Sequence, residues 1–231
     1  MSRERPVVAI DGPAGAGKTT VARRVARELG YVLVDTGAIY RAVAFAAKKR
    51  GVSFDDRGAV ETLAHALVDQ GQLTLEASAG GVPRMLLDGA ELGDEIRTPE
   101  LSMGASTVSA HPGVRAALLD LQRKFGANGG VVLEGRDIGT VVFPDAEVKV
   151  FLTATDEDRA MRRFRELQEK GVEASLEKTL EEVRARDRQD SERAVAPLRA
   201  ADDAVRIDSS RLSVDEVVAA IVSRARAWNV R

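Results

Sequence analysis

The stretch that decides the fold class reads Gly12-Pro13-Ala14-Gly15-Ala16-Gly17-Lys18-Thr19, and it matches the phosphate-binding pattern GxxxxGK followed by Ser or Thr. It follows the apolar run at residues 7–10, and an amphipathic pattern over Lys18–Leu29 comes directly after it. This order predicts a buried strand, a glycine-rich turn and a helix, the setting in which such a loop binds phosphate. The alternative is a glycine-rich turn without a ligand, and the flanking strand and helix favour the first interpretation.

Each part of this loop has a predicted role in binding a nucleoside triphosphate. Glycines let several backbone N–H groups point at one anion, and the start of the following helix adds its positive dipole. We expect the ammonium of Lys18 to reach the β- and γ-phosphates as a catalytic group, and the hydroxyl of Thr19 to ligate Mg²⁺. The predicted triphosphate-binding residues are Gly12, Pro13, Ala14, Gly15, Ala16, Gly17, Lys18, Thr19 and Thr20.

Composition limits the class of protein. The 231 residues are 44% hydrophobic and 30% charged, as in a globular protein with a sizeable core. The net charge is only −2, so we expect neither nucleic acid nor an anionic membrane as a partner. The chain has no cysteine, which excludes disulfides, thiolate zinc sites and thiol catalysis. Because the first apolar run is too short for a signal peptide or a membrane span, we expect a cytoplasmic protein.

Short apolar runs alternate with amphipathic ones along most of the chain. The predicted buried strands are 7–10, 31–34, 131–133, 148–152 and 205–207. The predicted helices are 19–29, 38–50, 114–125, 156–170, 176–188 and 214–227. Ser213 with Glu216 predicts a capping box at the start of the last helix. This alternation predicts an α/β fold, with a five-stranded parallel sheet flanked by helices.

The stretch from about 51 to 103 breaks this alternation. Residues 73–75 and 84–88 alternate like half-exposed antiparallel strands, with a turn at 80–83 between them. We therefore expect a small α+β insertion mounted on the main domain.

Two strand ends carry groups that suit a ligand site. Arg41 comes one helical turn after Gly37, just beyond the second strand, so it could hold a phosphate or be an ordinary surface arginine. Glu134, Arg136 and Asp137 follow the third core strand, where an acid can orient magnesium-bound water. An arginine beside an aspartate could serve the phosphate and the base of one substrate. The alternative is a solvated charged turn.

Two arginine-bearing helix faces resemble a lid. Arg159, Arg162 and Arg163 share one face, and Arg186, Asp190 and Arg193 share another if the second helix persists. Phosphoryl transfer needs positive charge around the transferring group and exclusion of water. Arginine-rich faces are often merely solvated, so the spacing leaves both interpretations open.

Together these motifs resemble the nucleoside monophosphate kinases, and closely the bacterial-type cytidylate kinases. The resemblance covers essentially the whole chain, and its most specific stretches are EGRDIGTVVFPDA at 134–146 and RAVAPL at 193–198. It implies transfer of the γ-phosphoryl of ATP to CMP or dCMP with Mg²⁺. It also implies a single domain, 1–231, with a core at 1–40, 104–155 and 200–231, a monophosphate-binding region at about 41–103 and a lid at about 156–199.

The resemblance also implies roles for individual residues. Ser106, Arg115 and Asp137 would read cytosine, and Arg41 and Arg136 would hold its phosphate. Arg186 and Asp190 would contact the sugar, while Arg159 and Arg163 would act from the lid on the transferring phosphate as catalytic groups. The full set on the substrate side is Thr36, Arg41, Ser106, Arg115, Arg136, Asp137, Arg186, Asp190 and Arg193.

Two rival functions remain at this point. One is a related kinase for AMP, UMP or a small metabolite, which has the same loop. The other is a GTPase-type switch, although the sequence contains no NKxD guanine motif. We expect a monomer.

Overall fold

The computed structural model describes residues 3–78, 80–169 and 171–228. A parallel sheet of five strands, in the order β2-β6-β1-β7-β8, forms its centre. These strands are β1 Val7–Asp11, β2 Val32–Asp35, β6 Val131–Gly135, β7 Val148–Thr153 and β8 Val205–Asp208. The predicted fold class is confirmed, and each predicted core strand is present with small shifts at its ends. Residues 1, 2 and 229–231, at the ends of the predicted domain, lie outside the described residues.

Helices cover both faces of this sheet. They are α1 Lys18–Leu29, α2 Thr36–Lys49, α5 Pro112–Gly126, α6 Asp156–Glu169, α7 Leu176–Glu192 and α8 Val214–Trp228. Position 170, with which we ended one predicted helix, lies outside the described residues. The predicted capping box of α8 forms, since Ser213 N donates to Glu216 Oε2 at 2.8 Å and Glu216 N donates to Ser213 Oγ at 3.3 Å. Over the residues that are described, none of the helices combines the length and apolarity needed to span a membrane.

The insertion contains two helices that the sequence analysis did not identify. They are α3 Arg57–Asp69 and α4 Pro99–Ser109, and the strands between them are β3 Leu73–Glu76, β4 Arg84–Leu87 and β5 Ala90–Glu91. The predicted antiparallel pairing of β3 and β4 is confirmed, with Leu73 opposite Leu87. The predicted second strand extends to Asp88, which lies beyond the end of β4. Asp88 has a left-handed backbone, with φ of 51°, so it starts the turn into β5 instead.

The turn between β3 and β4 reaches the core sheet. Leu33 N, on the outer side of β2, donates to Gly81 O at 2.7 Å. Because β2 is an edge strand, this bond covers part of an otherwise open edge. The insertion is thus attached to the core by its hairpin turn as well as by its helices.

The core sheet positions the glycine-rich loop. All of β1 is buried, because it lies between β6 and β7 and is covered by helices on both faces. The loop leaves β1 at Gly12, where φ is +153° and an added Cβ would lie 1.9 Å from Leu152 O. Only glycine fits at this position, so the loop begins in close backbone contact with β7. The carboxyl ends of β1, β2 and β6 then meet at one edge of the sheet.

Candidate active site

A cavity of about 740 Å³ opens at the carboxyl edge of the parallel sheet. One end is formed by the glycine-rich loop, including Lys18, Thr19 and Thr20. The other walls come from the ends of β2 and β6, from α2 and from α4 to α7. The residues predicted for the substrate side all line it: Thr36, Arg41, Ser106, Arg115, Arg136, Asp137, Arg186, Asp190 and Arg193. The two predicted halves of the site therefore share one cavity.

Lys18 is buried at the loop end of the cavity. Its Nζ donates to Pro13 O at 2.7 Å, so the side chain is held across its own loop. Burial, and then the nearby Arg136, lower its pKa to about 7. A bound anion would oppose both effects and restore the charged form. The charged form of Lys18 is therefore stabilised strongly when a phosphate binds beside it.

Glu134, at the end of β6, faces the same loop. Its Oε2 accepts from Thr19 Oγ1 at 3.1 Å, while Oε1 has no hydrogen-bond partner among the described residues. Burial, and then the charge of Asp35, raise its pKa to about 7. The sequence analysis points to an acid at this strand end as a group that can orient magnesium-bound water, although Glu134 is absent from the predicted sets of binding and catalytic residues.

The predicted base-recognition groups lie together at the far end. Arg115 donates to the Asp137 carboxylate, and Arg193 Nη2 lies 3.6 Å from the other oxygen of that carboxylate. The Tyr40 ring packs under Arg115, with 5.5 Å from the guanidinium carbon to the ring centre. Ser106 is buried nearby, and its Oγ has no partner in the part of the chain that is described. An aspartate, two arginines and a free hydroxyl suit the edge of a nucleobase.

The predicted phosphate and sugar groups form a second set. Arg136 Nε donates to Asp190 Oδ2 at 2.8 Å, and Arg41 Nη2 donates to Asp35 Oδ2 at 2.8 Å. Burial, and then Arg136, lower the pKa of Arg186 to about 10. Thr36 uses its hydroxyl to donate to Glu134 O at 2.7 Å, so in this conformation it ties β2 to β6. Several positively charged arginine side chains therefore lie close together around the cavity.

The two predicted lid arginines occupy different places. Arg163 lines the cavity, and within the described part of the chain its ion pair is with Glu166, at 3.2 Å. Arg159 is 3% exposed and lies behind the loop. It donates to Ala14 O at 2.9 Å and pairs with Asp187 at 2.6 Å. The role of Arg159 at the transferring phosphate stays a prediction. In this structure the side chain of Arg159 joins α6, α7 and the glycine-rich loop.

A family model described as Cytidylate kinase matches residues 8–227 of the chain. The chain belongs to the cytidylate kinase family. Among its relatives, the cytidylate kinase of Methylococcus capsulatus is 53% identical over 94% of this chain and 96% of the relative. That of Pseudomonas aeruginosa is 48% identical over 100% of both chains. The family predicted from the sequence is thus confirmed.

A solved structure supports the fold of this cytidylate kinase family member and nothing further. It is that of an uncharacterised protein from Eubacterium ventriosum, with a TM-score of 0.51 and 12% identity. The match covers 96% of this chain and 99% of that one.

Proposed function

We propose that this member of the cytidylate kinase family transfers the γ-phosphoryl of ATP to CMP or dCMP, giving ADP and CDP or dCDP. The observation that carries the proposal is the single cavity that joins Lys18 of the loop to the Arg115–Asp137 pair. Because the acceptor is already a phosphate anion, direct in-line transfer needs no strong general base. The work of the protein is to position two anions and to neutralise the charge between them.

The proposed cytosine site is built around Asp137. Its carboxylate accepts hydrogen bonds, and cytosine presents an N4 amino donor where uracil presents a carbonyl. A uracil in the same place would set its carbonyl oxygen against the carboxylate, and polar mismatches of this kind discriminate strongly. Arg115 and Ser106 complete the set, the arginine by holding Asp137 and the serine by offering its unpaired hydroxyl.

The remaining acceptor groups are assigned as follows. We assign the monophosphate to Arg41 and Arg136, and the sugar to Arg186 and Asp190. Arg193 lies beside Asp137 and supports the base site, and Thr36 supports the wall between β2 and β6. Arg41, Arg136 and Arg193 lie beside the carboxylates of Asp35, Asp190 and Asp137, so these three side chains are already positioned at the cavity wall.

Transfer itself is assigned to Lys18 and Arg163. Lys18 reaches the transferring phosphoryl group from the loop, and Arg163 approaches it from the lid after leaving Glu166. Both side chains of that ion pair are partly exposed to solvent, so the pair contributes little stability. A phosphate can therefore replace the carboxylate as the partner of Arg163 at little cost. Arg159 acts indirectly, by fixing the start of the lid on the loop.

Mg²⁺ is the expected companion of ATP, and two oxygens beside the loop fit it. The Thr19 hydroxyl lies 3.1 Å from Glu134 Oε2, and Oε1 is unpaired within the described residues. Hydroxyl and carboxylate oxygens are ligands that Mg²⁺ accepts, together with phosphate oxygens and water. We therefore assign Thr19 as a direct ligand and Glu134 as the acceptor for metal-bound water. When bound, the ion would neutralise charge on the β- and γ-phosphates.

A coupled assay of ADP release tests the proposal. The protein is assayed with ATP and Mg²⁺ against CMP, dCMP, UMP and AMP, with a no-acceptor control. We expect fast release with CMP and dCMP, and rates at least tenfold lower with the other two. Comparable rates on all four would remove the cytosine preference. Slow release of ADP at the same rate with and without an acceptor would indicate a nucleotide-dependent switch instead.

We also propose that the protein acts as a monomer in the cytoplasm, where ATP and CMP are available. Every group assigned above comes from a single chain, so the site needs no second copy. Light scattering at assay concentration checks this, and a stable dimer would contradict it.

A further inference from the structure

Asp11 ends β1, directly before Gly12, where the glycine-rich loop begins. The residue is 5% exposed, and it is not among the described residues that line the cavity. Any effect of its carboxylate on a bound nucleotide therefore passes through the groups that the carboxylate holds.

Both oxygens of Asp11 accept hydrogen bonds from the backbone just beyond β6. Oδ1 accepts from Ile138 N and Oδ2 accepts from Gly139 N, each at 2.8 Å. These two residues open a single helical turn, Ile138–Val142, which follows Asp137 directly. The first N–H groups of a helical turn have no partner within it, so they need an acceptor from elsewhere. Asp11 supplies that acceptor, and its negative charge suits this end of the turn.

Asp137 lies beyond the end of the sheet ladder. The pairing of β1 with β6 ends where Asp11 lies opposite Gly135. Asp137 O accepts from Val141 N at 2.9 Å, a bond that stays within the turn and does not attach it to the sheet. The turn is also anchored by Ile138, which is fully buried in the apolar core. Apolar packing has no preferred direction, whereas two charge-assisted hydrogen bonds fix the orientation of the backbone.

The side chain of Asp137 is held separately from its backbone. Arg115 donates to one carboxylate oxygen, and Arg193 Nη2 lies 3.6 Å from the other. A shift of the turn would therefore move the Asp137 carboxylate away from these partners. Hydrogen bonds weaken steeply when distance or alignment is lost, so the contact with a base edge depends on both supports.

We propose that Asp11 is a positioning residue for base recognition, which fixes the backbone that carries Asp137 relative to the start of the glycine-rich loop. This inference rests on the proposed function, because it takes cytosine as the base that Asp137 contacts. Since Gly12 follows Asp11 in the chain, one side chain sets the spacing between the loop and the base site. Transfer between two bound nucleotides requires that spacing to be exact to a fraction of an ångström.

Glu147 provides a matched control at the opposite end of the same strand. Its Oε2 accepts from the backbone N of Val7, the first residue of β1, at 2.8 Å, and its Oε1 accepts from Arg3 at 3.0 Å. It is also a largely buried carboxylate that accepts from the backbone, but the cavity lies at the other edge of the sheet. Glu147→Gln makes the same chemical change as Asp11→Asn at a place remote from both nucleotides.

The experiment compares Asp11→Asn, Glu147→Gln and the unaltered protein. We measure kcat/KM for CMP and for UMP, KM for ATP and the thermal midpoint. Asparagine keeps the size of the side chain, but it offers one acceptor oxygen to two N–H groups. We expect Asp11→Asn to lower the CMP-to-UMP ratio of kcat/KM about tenfold, because a displaced Asp137 loses its bond to the N4 amino group. Glu147→Gln leaves this ratio unchanged.

A second variant disturbs the same contact from the other side. A Cβ on Gly139 would lie 3.4 Å from Asp11 Oδ2 and 3.3 Å from the side chain of Lys149. The lysine side chain is flexible, so Gly139→Ala is expected to fold while it crowds the bond to Asp11. We expect the CMP-to-UMP ratio to fall about threefold, since the bond is weakened and not removed. This variant decides the matter if Asp11→Asn does not fold.

Three results would overturn the assignment to Asp11. They are an unchanged CMP-to-UMP ratio in the folded variants, an equal fall of the ratio in Glu147→Gln, or equal losses of kcat/KM for CMP and UMP. The last would mean that Asp11 supports the fold as a whole and not the reading of the base. If the unaltered protein itself shows no preference for CMP over UMP, the proposed function has failed, and that result is distinct from a failure of Asp11 alone.

Discussion

In the proposed mechanism, phosphoryl transfer depends most directly on the ammonium group of Lys18. It is buried, its pKa is lowered to about 7, and its one described hydrogen bond is to Pro13 O. We predict that Lys18→Ala lowers turnover about a hundredfold or more, because a preorganised cation at the transferring charge is lost. Steady-state kinetics with ATP and CMP measure this. Lys124→Ala, an exposed lysine on α5, is the control, and near-normal turnover of Lys18→Ala would contradict the assigned role.

Asp11 is a second buried charge, and it links the two halves of the site. Its carboxylate accepts from Ile138 N and from Gly139 N, each at 2.8 Å, directly after Arg136 and Asp137. Burial raises its pKa to about 6, although the two N–H donors lower it. Asp137 raises the pKa and Lys18 lowers it by smaller amounts. The fold therefore holds this carboxylate ionised at some cost to its stability.

This cost predicts a specific pH dependence. The pKa of the Asp11 carboxyl is about 6 in the folded protein, above the ordinary 3.8. Protonated Asp11 therefore makes its full contribution to the free energy of unfolding below about pH 4, and this contribution is lost as the pH rises through 6. We predict that the free energy of unfolding, relative to Asp11→Asn, falls by about 1 kcal/mol between pH 5 and pH 7.5. Urea unfolding of both proteins measures it. A difference that does not change with pH would show that the carboxylate is not buried as described.

At the scale of elements, α6 and α7 are joined through the Arg159–Asp187 pair. We predict that Arg159→Met destabilises the protein by about 3 kcal/mol, because it leaves a partly buried carboxylate without its partner. Arg163→Met, on the same helix, should change stability by less than about 0.5 kcal/mol and lower turnover about a hundredfold. Urea unfolding and steady-state kinetics separate the two effects. If both variants lost turnover equally and Arg159→Met lost no stability, Arg159 would be assigned a direct role at the transferring phosphate.

The elements of the core were predictable from sequence because their physics is local. Strands buried on both faces are short apolar runs, and the phosphate loop needs glycine where no Cβ fits. The helices α3 and α4 were missed, although Asp56 and Thr98 cap them and Pro99 follows the second cap. The placement of Arg159 could not be read from spacing. It depends on α7 and the loop, which lie far from it in sequence.

For the whole molecule, the lid should respond to both substrates together. We predict that CMP with a non-hydrolysable ATP analogue slows amide hydrogen exchange in α6 and α7 more than in α8. The proposed reason is that Arg163 of α6 then contacts the phosphate of the ATP analogue while Arg186 of α7 contacts the sugar of CMP. Exchange mass spectrometry measures this, with each ligand alone as the control. A change confined to the glycine-rich loop would argue against a lid at about 156–199.

The bond from Leu33 N to Gly81 O has a consequence for the molecule as a whole. Because β2 is an edge strand, its free N–H and C=O groups could pair with a strand of another molecule, and the hairpin turn blocks that approach. The insertion would then protect the protein from self-association. A chain shortened by removal of the hairpin at about 73–91 is expected to aggregate at concentrations where the full chain does not, even though the loop and the parallel sheet are untouched.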